Sequence, residues 1–137
     1  NCHLESYSLS FTNLVKSLRR DYQAAIHDTG LKMRASILRR PSQVGKVLSG
    51  IEASPVESIV CGDLNDSPVS YTYYHLQRGR HDSFRRAGKG MGATYSMLWP
   101  LLRIDYIFYP KDMQATDHRT VRVHYSDHYP IMTNLHI

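Results

Sequence analysis

Six polar side chains in this sequence stand where strand ends could bring them to one place. In "CGDLNDSP", residues 61–68, Asp63 and Asn65 lie two apart just past the apolar "SIVC", and Leu64 between them can point into a core. A carboxylate at a strand end can bind a hard cation or orient a water, and an amide can donate to a phosphate oxygen. Asp105 lies in "LRIDYIFYP" among apolar and aromatic neighbours, a costly place for a charge unless it is paired. "YSDHYP" sets Asp127 and His128 side by side before a proline that leads into the last apolar run. An aspartate from one strand and a histidine from another fix the imidazole tautomer and raise its pKa, as acid–base chemistry requires. His3, in "NCHLE", closes the first strand-like segment.

Each piece has a plainer reading when taken alone. "GDLND" is rich in turn residues, and a single histidine can belong to a core or a surface. A calcium loop is excluded, because Pro68 follows Asp63, Asn65 and Ser67 where a sharp glycine turn is needed. His118, His124 and His128, six and four residues apart, do not converge as transition-metal ligands on strands. What favours chemistry is that the polar groups all fall at strand ends, on the rim where α/β sheets build their sites.

The elements that must position them read as an alternation of helices and strands. "NCHL" is the end of a strand. Phe11, Leu14, Val15, Leu18, Tyr22 and Ile26 recur at helical steps from about Leu9 to Ile26, with a stop expected at Thr29–Gly30. Helical character resumes in "LKMRASILRR", Pro41 either kinks that helix or opens another, and Val44, Val47, Leu48 and Ile51 form an apolar stripe ending near Ala53. "SIVC" is a short buried strand. Ser67 followed by Pro68 reads as the cap and first turn of a helix over "VSYTYYHL". "AGKGMGATYS" is by composition a mobile loop. In "LRIDYIFYP", Leu102, Ile104, Tyr106 and Phe108 point one way and Arg103, Asp105, Ile107 and Tyr109 the other; "RTVRVHY" and "PIMTNLHI" are two further strands.

Composition sets the outer limits. The 137 residues, 42% of them hydrophobic, suffice for one ordinary core. No apolar run approaches the roughly 20 residues of a membrane helix, and nothing at the start resembles a signal sequence, so a soluble globular chain is expected. Asn1 already sits in a patterned segment, which suggests a piece of something longer. The net charge of +5 biases the partners toward polyanions. One basic cluster lies between Lys16 and Lys46; a second comprises Arg78, Arg80, Arg85, Arg86 and Lys89, and either also reads as a solvated face. Cys2 and Cys61 read as buried free thiols.

"NCHLES", "CGDLNDSP", "LRIDYIFYP" and "YSDHYP", in this order, resemble the later motifs of the endonuclease/exonuclease/phosphatase superfamily, the deoxyribonuclease I-like fold. The glycine-rich stretch ending in Thr94 and Tyr95 also resembles bacterial members. The resemblance implies an α+β fold, a four-layer αββα sandwich of which this chain supplies about the C-terminal half, and hydrolysis of a phosphate ester assisted by Mg²⁺ or Mn²⁺. It implies that Asp63 orients or deprotonates the attacking water, that Asn65 positions water and phosphate oxygens, that His128 contacts the phosphate or serves as base, with Asp105 as its partner, and that His3 donates to a non-bridging oxygen. Asp127 is then a carboxylate near the metal, with Asp63 and Asn65 as further candidate ligands. Thr94, Tyr95 and Arg103 are candidates for substrate contact, Arg103 alternatively for bracing the rim. The family's principal ligands, a glutamate and usually an asparagine, belong to the N-terminal half, so the missing half is the expected partner and this segment alone is expected to be poorly stable and inactive. It is expected to contribute one sheet and its helical layer. The substrate class stays open among nucleic acid, phosphoinositide and phospholipid head groups, and a non-catalytic polyanion-binding module is the alternative.

Overall fold

The computed structural model describes residues 1–6, 22–98 and 100–137. Its central element is a four-stranded sheet of order β1-β2-β4-β3, formed by Cys2–His3 (β1), Val60–Asp63 (β2), Arg80–Asp82 (β3) and Asp105–Pro110 (β4). β1 runs parallel to β2, whereas β4 is antiparallel to both β2 and β3. The helices are Tyr22–Glu52 (α1), Tyr71–Gln77 (α2) and Ser83–Ala87 (α3), with a 3₁₀ turn at Ser96–Leu98. Gln114–Thr120 (β5) and Ile131–His136 (β6) form a separate antiparallel pair. No helix among the described residues is long and apolar enough to cross a membrane.

Cross-strand partners share a face of a sheet. Val60 lies opposite Phe108, and Gly62 opposite Tyr106, so this face carries the apolar side chains. Val44 of α1 with Tyr73 and Leu76 of α2 covers them, closing a core with Leu4 and Leu64, and Val47, Leu48 and Ile51 pack at its margin. Gly62 is what lets β1 approach. Its φ is 146°, a conformation that L side chains rarely adopt, and a Cβ there would overlap the Cys2 carbonyl. Cys2 and Cys61 are free thiols.

Several sequence expectations change here. The expected first helix over Leu9–Ile26 falls largely outside the described residues. From Tyr22 onward one helix runs unbroken through Gly30 and Pro41 to Glu52, with no stop at Thr29–Gly30. A helical glycine costs about 1 kcal/mol and a proline about 3 kcal/mol, which docking of an apolar stripe on a sheet can override. The helix after "CGDLND" starts three residues later than expected. Ser70, not Ser67, is the cap, its hydroxyl accepting from the Tyr73 amide, because Ser67 is taken up in a turn closed by Ser70 N–H on its carbonyl. The strand expected over "RTVRVHY" lies earlier, at Gln114–Thr120, where a polar sequence hides the alternation. β3 and α3 come from "RHDSFRRA", which reads only as a basic cluster.

The described residues also form two sheets rather than one. After Pro110 a turn, closed by Met113 N–H on the Pro110 carbonyl, directs β5 away from β4. β5 then packs against α3, with buried His118 bonded to Ser83 at 2.8 Å.

Candidate active site

The face of the sheet away from the core carries the polar cluster. His3, Asp63 and Asp105 stand in register across β1, β2 and β4, so three strands present them side by side. His128 arrives from outside the sheet. Its backbone bridges Tyr95, Tyr129 N–H donates to the Thr94 carbonyl, and its ring reaches Asp105 with Nδ1–Oδ2 at 2.9 Å. His128 Nε2 lies 3.8 Å from Asp63 Oδ2, and His3 Nε2 lies 3.5 Å from the same oxygen. Asn65 completes the group, its Nδ2 donating to Asp63 Oδ2 at 2.8 Å and to the Leu4 carbonyl at 2.9 Å, while its backbone N–H donates to Asp63 Oδ1 at 2.7 Å.

Two like charges opposite one another on a sheet are unfavourable, and the electrostatics reflect it. Burial pushes the Asp63 carboxyl above the usual carboxylate range, and the Asp105 charge adds to this. The Asn65 backbone hydrogen bond and the two imidazoles oppose the rise without cancelling it. For His128, burial works against the charged form, but the Asp105 hydrogen bond and the charges of Asp105, Asp63 and Asp127 outweigh it, so its pKa lies above the ordinary histidine value.

The structure therefore brings together His3, Asp63, Asn65, Asp105 and His128. Asp127 is exposed beside them, its carboxylate meeting only the adjacent Ser126 hydroxyl at 3.3 Å among the hydrogen bonds described, and its carbonyl accepts from Ser96. Among the described histidines, cysteines and acids, the ligand atoms that lie within 4.8 Å of one another belong to Asp63, Asp105 and His128, so Asp105 rather than Asp127 joins Asp63 there. Two carboxylates beside an imidazole suit a hard divalent cation, whose remaining oxygen positions water or other groups would fill.

Arg103 is a correction. Rather than facing substrate it is buried, its Nη1 and Nη2 donating to the two oxygens of Asp82 at 3.1 and 2.8 Å and its guanidinium lying over the Tyr106 and Phe84 rings. The reason is that β4 begins only at Asp105, so the strand alternation that would turn Arg103 outward does not reach it. Thr94 is fully buried, and its hydroxyl oxygen accepts from the Ile104 and Asp105 amides at 3.0 and 3.1 Å. It supports the start of β4, and with it Asp105, from within the fold. Tyr95 does stand at the rim, its ring 5.3 Å from that of His128. His118 is buried and His124 exposed, and neither joins the cluster.

Three buried residues escape a reading of the sequence. Arg40 of α1 donates to the Leu64 and Asn65 carbonyls, Asp66 accepts from Thr72 at 2.8 Å, and Asp82 holds Arg103. Arg40 and Asp82 each lie in a charge-rich stretch that resembles solvated surface; the sole hint is that "GDLND" carries one more acid than the site uses.

The sequence matches the Endonuclease/Exonuclease/phosphatase family over residues 13–128. The chain belongs to this family. Solved structures agree in fold: a functionally unknown conserved protein from Enterococcus faecalis (TM-score 0.61, 20% identity, 71% of this chain and 44% of that one), and an endonuclease/exonuclease/phosphatase from Bacteroides vulgatus (TM-score 0.59, 20% identity, 72% and 44%). A mannosyl-6-phosphatase from Bacteroides thetaiotaomicron is also similar (TM-score 0.54, 19% identity, 77% and 46%). The chain thus has the mixed α/β, deoxyribonuclease I-like fold and spans less than half the length of these family structures. No protein with a curated description matches it.

Proposed function

We propose that this chain carries the water-activating and phosphate-contacting part of a divalent-metal-dependent phosphoesterase, with Mg²⁺ or Mn²⁺ as the ion. The observation that carries the reading is the meeting of Asp63, Asp105 and His128, with His3 and Asn65 against Asp63, on one half-exposed rim. Hydrolysis of a phosphate ester needs a nucleophile, neutralisation of charge on the equatorial oxygens and help for the leaving oxygen.

Asp63 orients the water and accepts its proton. The Asn65 amide keeps the Asp63 oxygens aligned. His128, favoured in its charged form by Asp105, donates to a phosphate oxygen, and His3, with a side chain 78% exposed, is free to swing onto a second. Tyr95 walls the His128 side. Asp63 and Asp105 would hold the cation, which when bound would supply Lewis-acid neutralisation of the phosphate. The complete domain, including ligands supplied from outside this segment, is the active unit.

The test is a panel assay of the full-length protein with Mg²⁺ or Mn²⁺ against DNA, RNA, phosphoinositides, sphingomyelin and, given the mannosyl-6-phosphatase likeness, a hexose 6-phosphate. Turnover of at least one substrate, abolished by EDTA and restored by the ion, is expected. Phosphate binding without turnover on any of them would instead establish a polyanion-binding module.

A further inference from the structure

Asn65 is the one non-glycine residue with positive φ (48°) among those described. A non-glycine residue persists in that region only where its surroundings over-determine it. Two anchors do so from opposite sides. On one, the Leu4 carbonyl next to β1 takes the Asn65 amide. On the other, the Arg40 guanidinium of α1, itself 3% exposed, donates through Nη1 to the Leu64 carbonyl and through Nη2 to the Asn65 carbonyl at 3.0 Å. A planar fork gripping two successive carbonyls fixes the orientation of both peptide planes, which a lysine ammonium on one point cannot do.

We propose that Arg40 is a positioning residue for the Asp63–Asn65 pair, its buried guanidinium clamping the loop so that the Asn65 amide meets Asp63. The proposal rests on the catalytic reading of that pair. Arg40 touches no substrate and acts through Asn65. Arg39, one residue away, makes an exposed pair with Glu5 at 2.7 Å and provides a control of equal charge on the same turn of helix.

The test uses the full-length protein and the best substrate of the panel. Arg40→Ala should lower kcat roughly 10- to 100-fold with KM within about twofold, since small misplacements of positioning groups cost about that much. Arg39→Ala should leave both unchanged. In an Asn65→Ala background, Arg40→Ala should cost little more, because one residue acts through the other. Guanidinium ion added to Arg40→Ala should restore part of the rate. Independently of activity, exchange of the Asn65 backbone amide, followed by NMR, should accelerate roughly 10-fold or more as the loop loosens. If Arg40→Ala does not fold, Arg40→Lys, which keeps the cation but loses the fork, should show the same kcat loss and faster exchange. Independent, multiplying losses in the double variant, or unchanged exchange at Asn65, overturn the clamp. A wild-type protein inactive on every substrate overturns the catalytic reading and the catalytic half of this proposal, while the exchange result still decides whether the clamp exists.

Discussion

One sheet carries two clusters of charge on opposite faces, and they are built to opposite rules. On the core face Asp82 is fully buried and every contact is satisfied: two oxygens accept from Arg103, Tyr73 and the Phe84 amide, at 2.8 to 3.1 Å. On the other face Asp63 and Asp105 are partly exposed, stand opposite each other and, among the described residues, meet imidazoles rather than a guanidinium of the Arg103 kind. The first arrangement is closed, with acceptor and donor matched. The second holds two acids and two imidazoles near a point where opposite charge is welcome, with the Asp63 and His128 pKa values both raised. Charges that complete one another hold a fold; charges left in mutual tension are available for chemistry.

Breaking each cluster should therefore read out differently. Asp63→Asn should remove nearly all hydrolysis in the complete protein, roughly a thousandfold or more, and His128→Ala should cost several orders of magnitude, with melting temperatures close to wild type in both. Activity comparable to wild type in either variant would refute the assignment. Removing Arg103 with Arg103→Leu should instead cost about 3–5 kcal/mol of stability, since it leaves the buried Asp82 charge uncompensated; denaturant unfolding checks this, and the double change Asp82→Asn/Arg103→Leu should recover part of the loss. Ser70→Ala should cost about 1 kcal/mol through loss of the α2 cap without touching turnover.

The smallest effect is a pH dependence that separates the faces. His128 has a folded pKa above its unfolded value. Its stabilising contribution is thus whole below the unfolded value of about 6.5 and fades as pH rises through the folded one. Asp63, also raised, acts in the same direction, favouring the folded state when protonated. The difference in melting temperature between wild type and Asp105→Asn should therefore be larger near about pH 6 than near about pH 9. A gap that widens with pH would contradict the pairing of Asp105 with His128.

How much was legible depends on how local the cause is. The stripe Val44, Val47, Leu48 and Ile51 gave away the end of α1, and the alternation of Tyr106 and Phe108 gave away β4, because period alone records which side faces a core. β3 and β5 stayed hidden: "RHD" and "QATDHRT" carry too few apolar residues to register a period. Thr94 was visible only as part of a motif, not as the hydroxyl that holds two amides at the start of β4.

The sequence by itself pointed to the family, the helical stripe and a set of candidates that contains the five side chains of the rim, since each depends on residue type and near-neighbour spacing. Only the tertiary structure decided that Arg103 turns inward to Asp82, that Asp105 rather than Asp127 joins Asp63, and that Arg40 grips the loop of Asn65 from 25 residues away. A charged side chain looks the same in a sequence whether it meets water or a buried partner. Which of these it meets is fixed by elements distant along the chain, through the free-energy cost of leaving a buried charge unpaired.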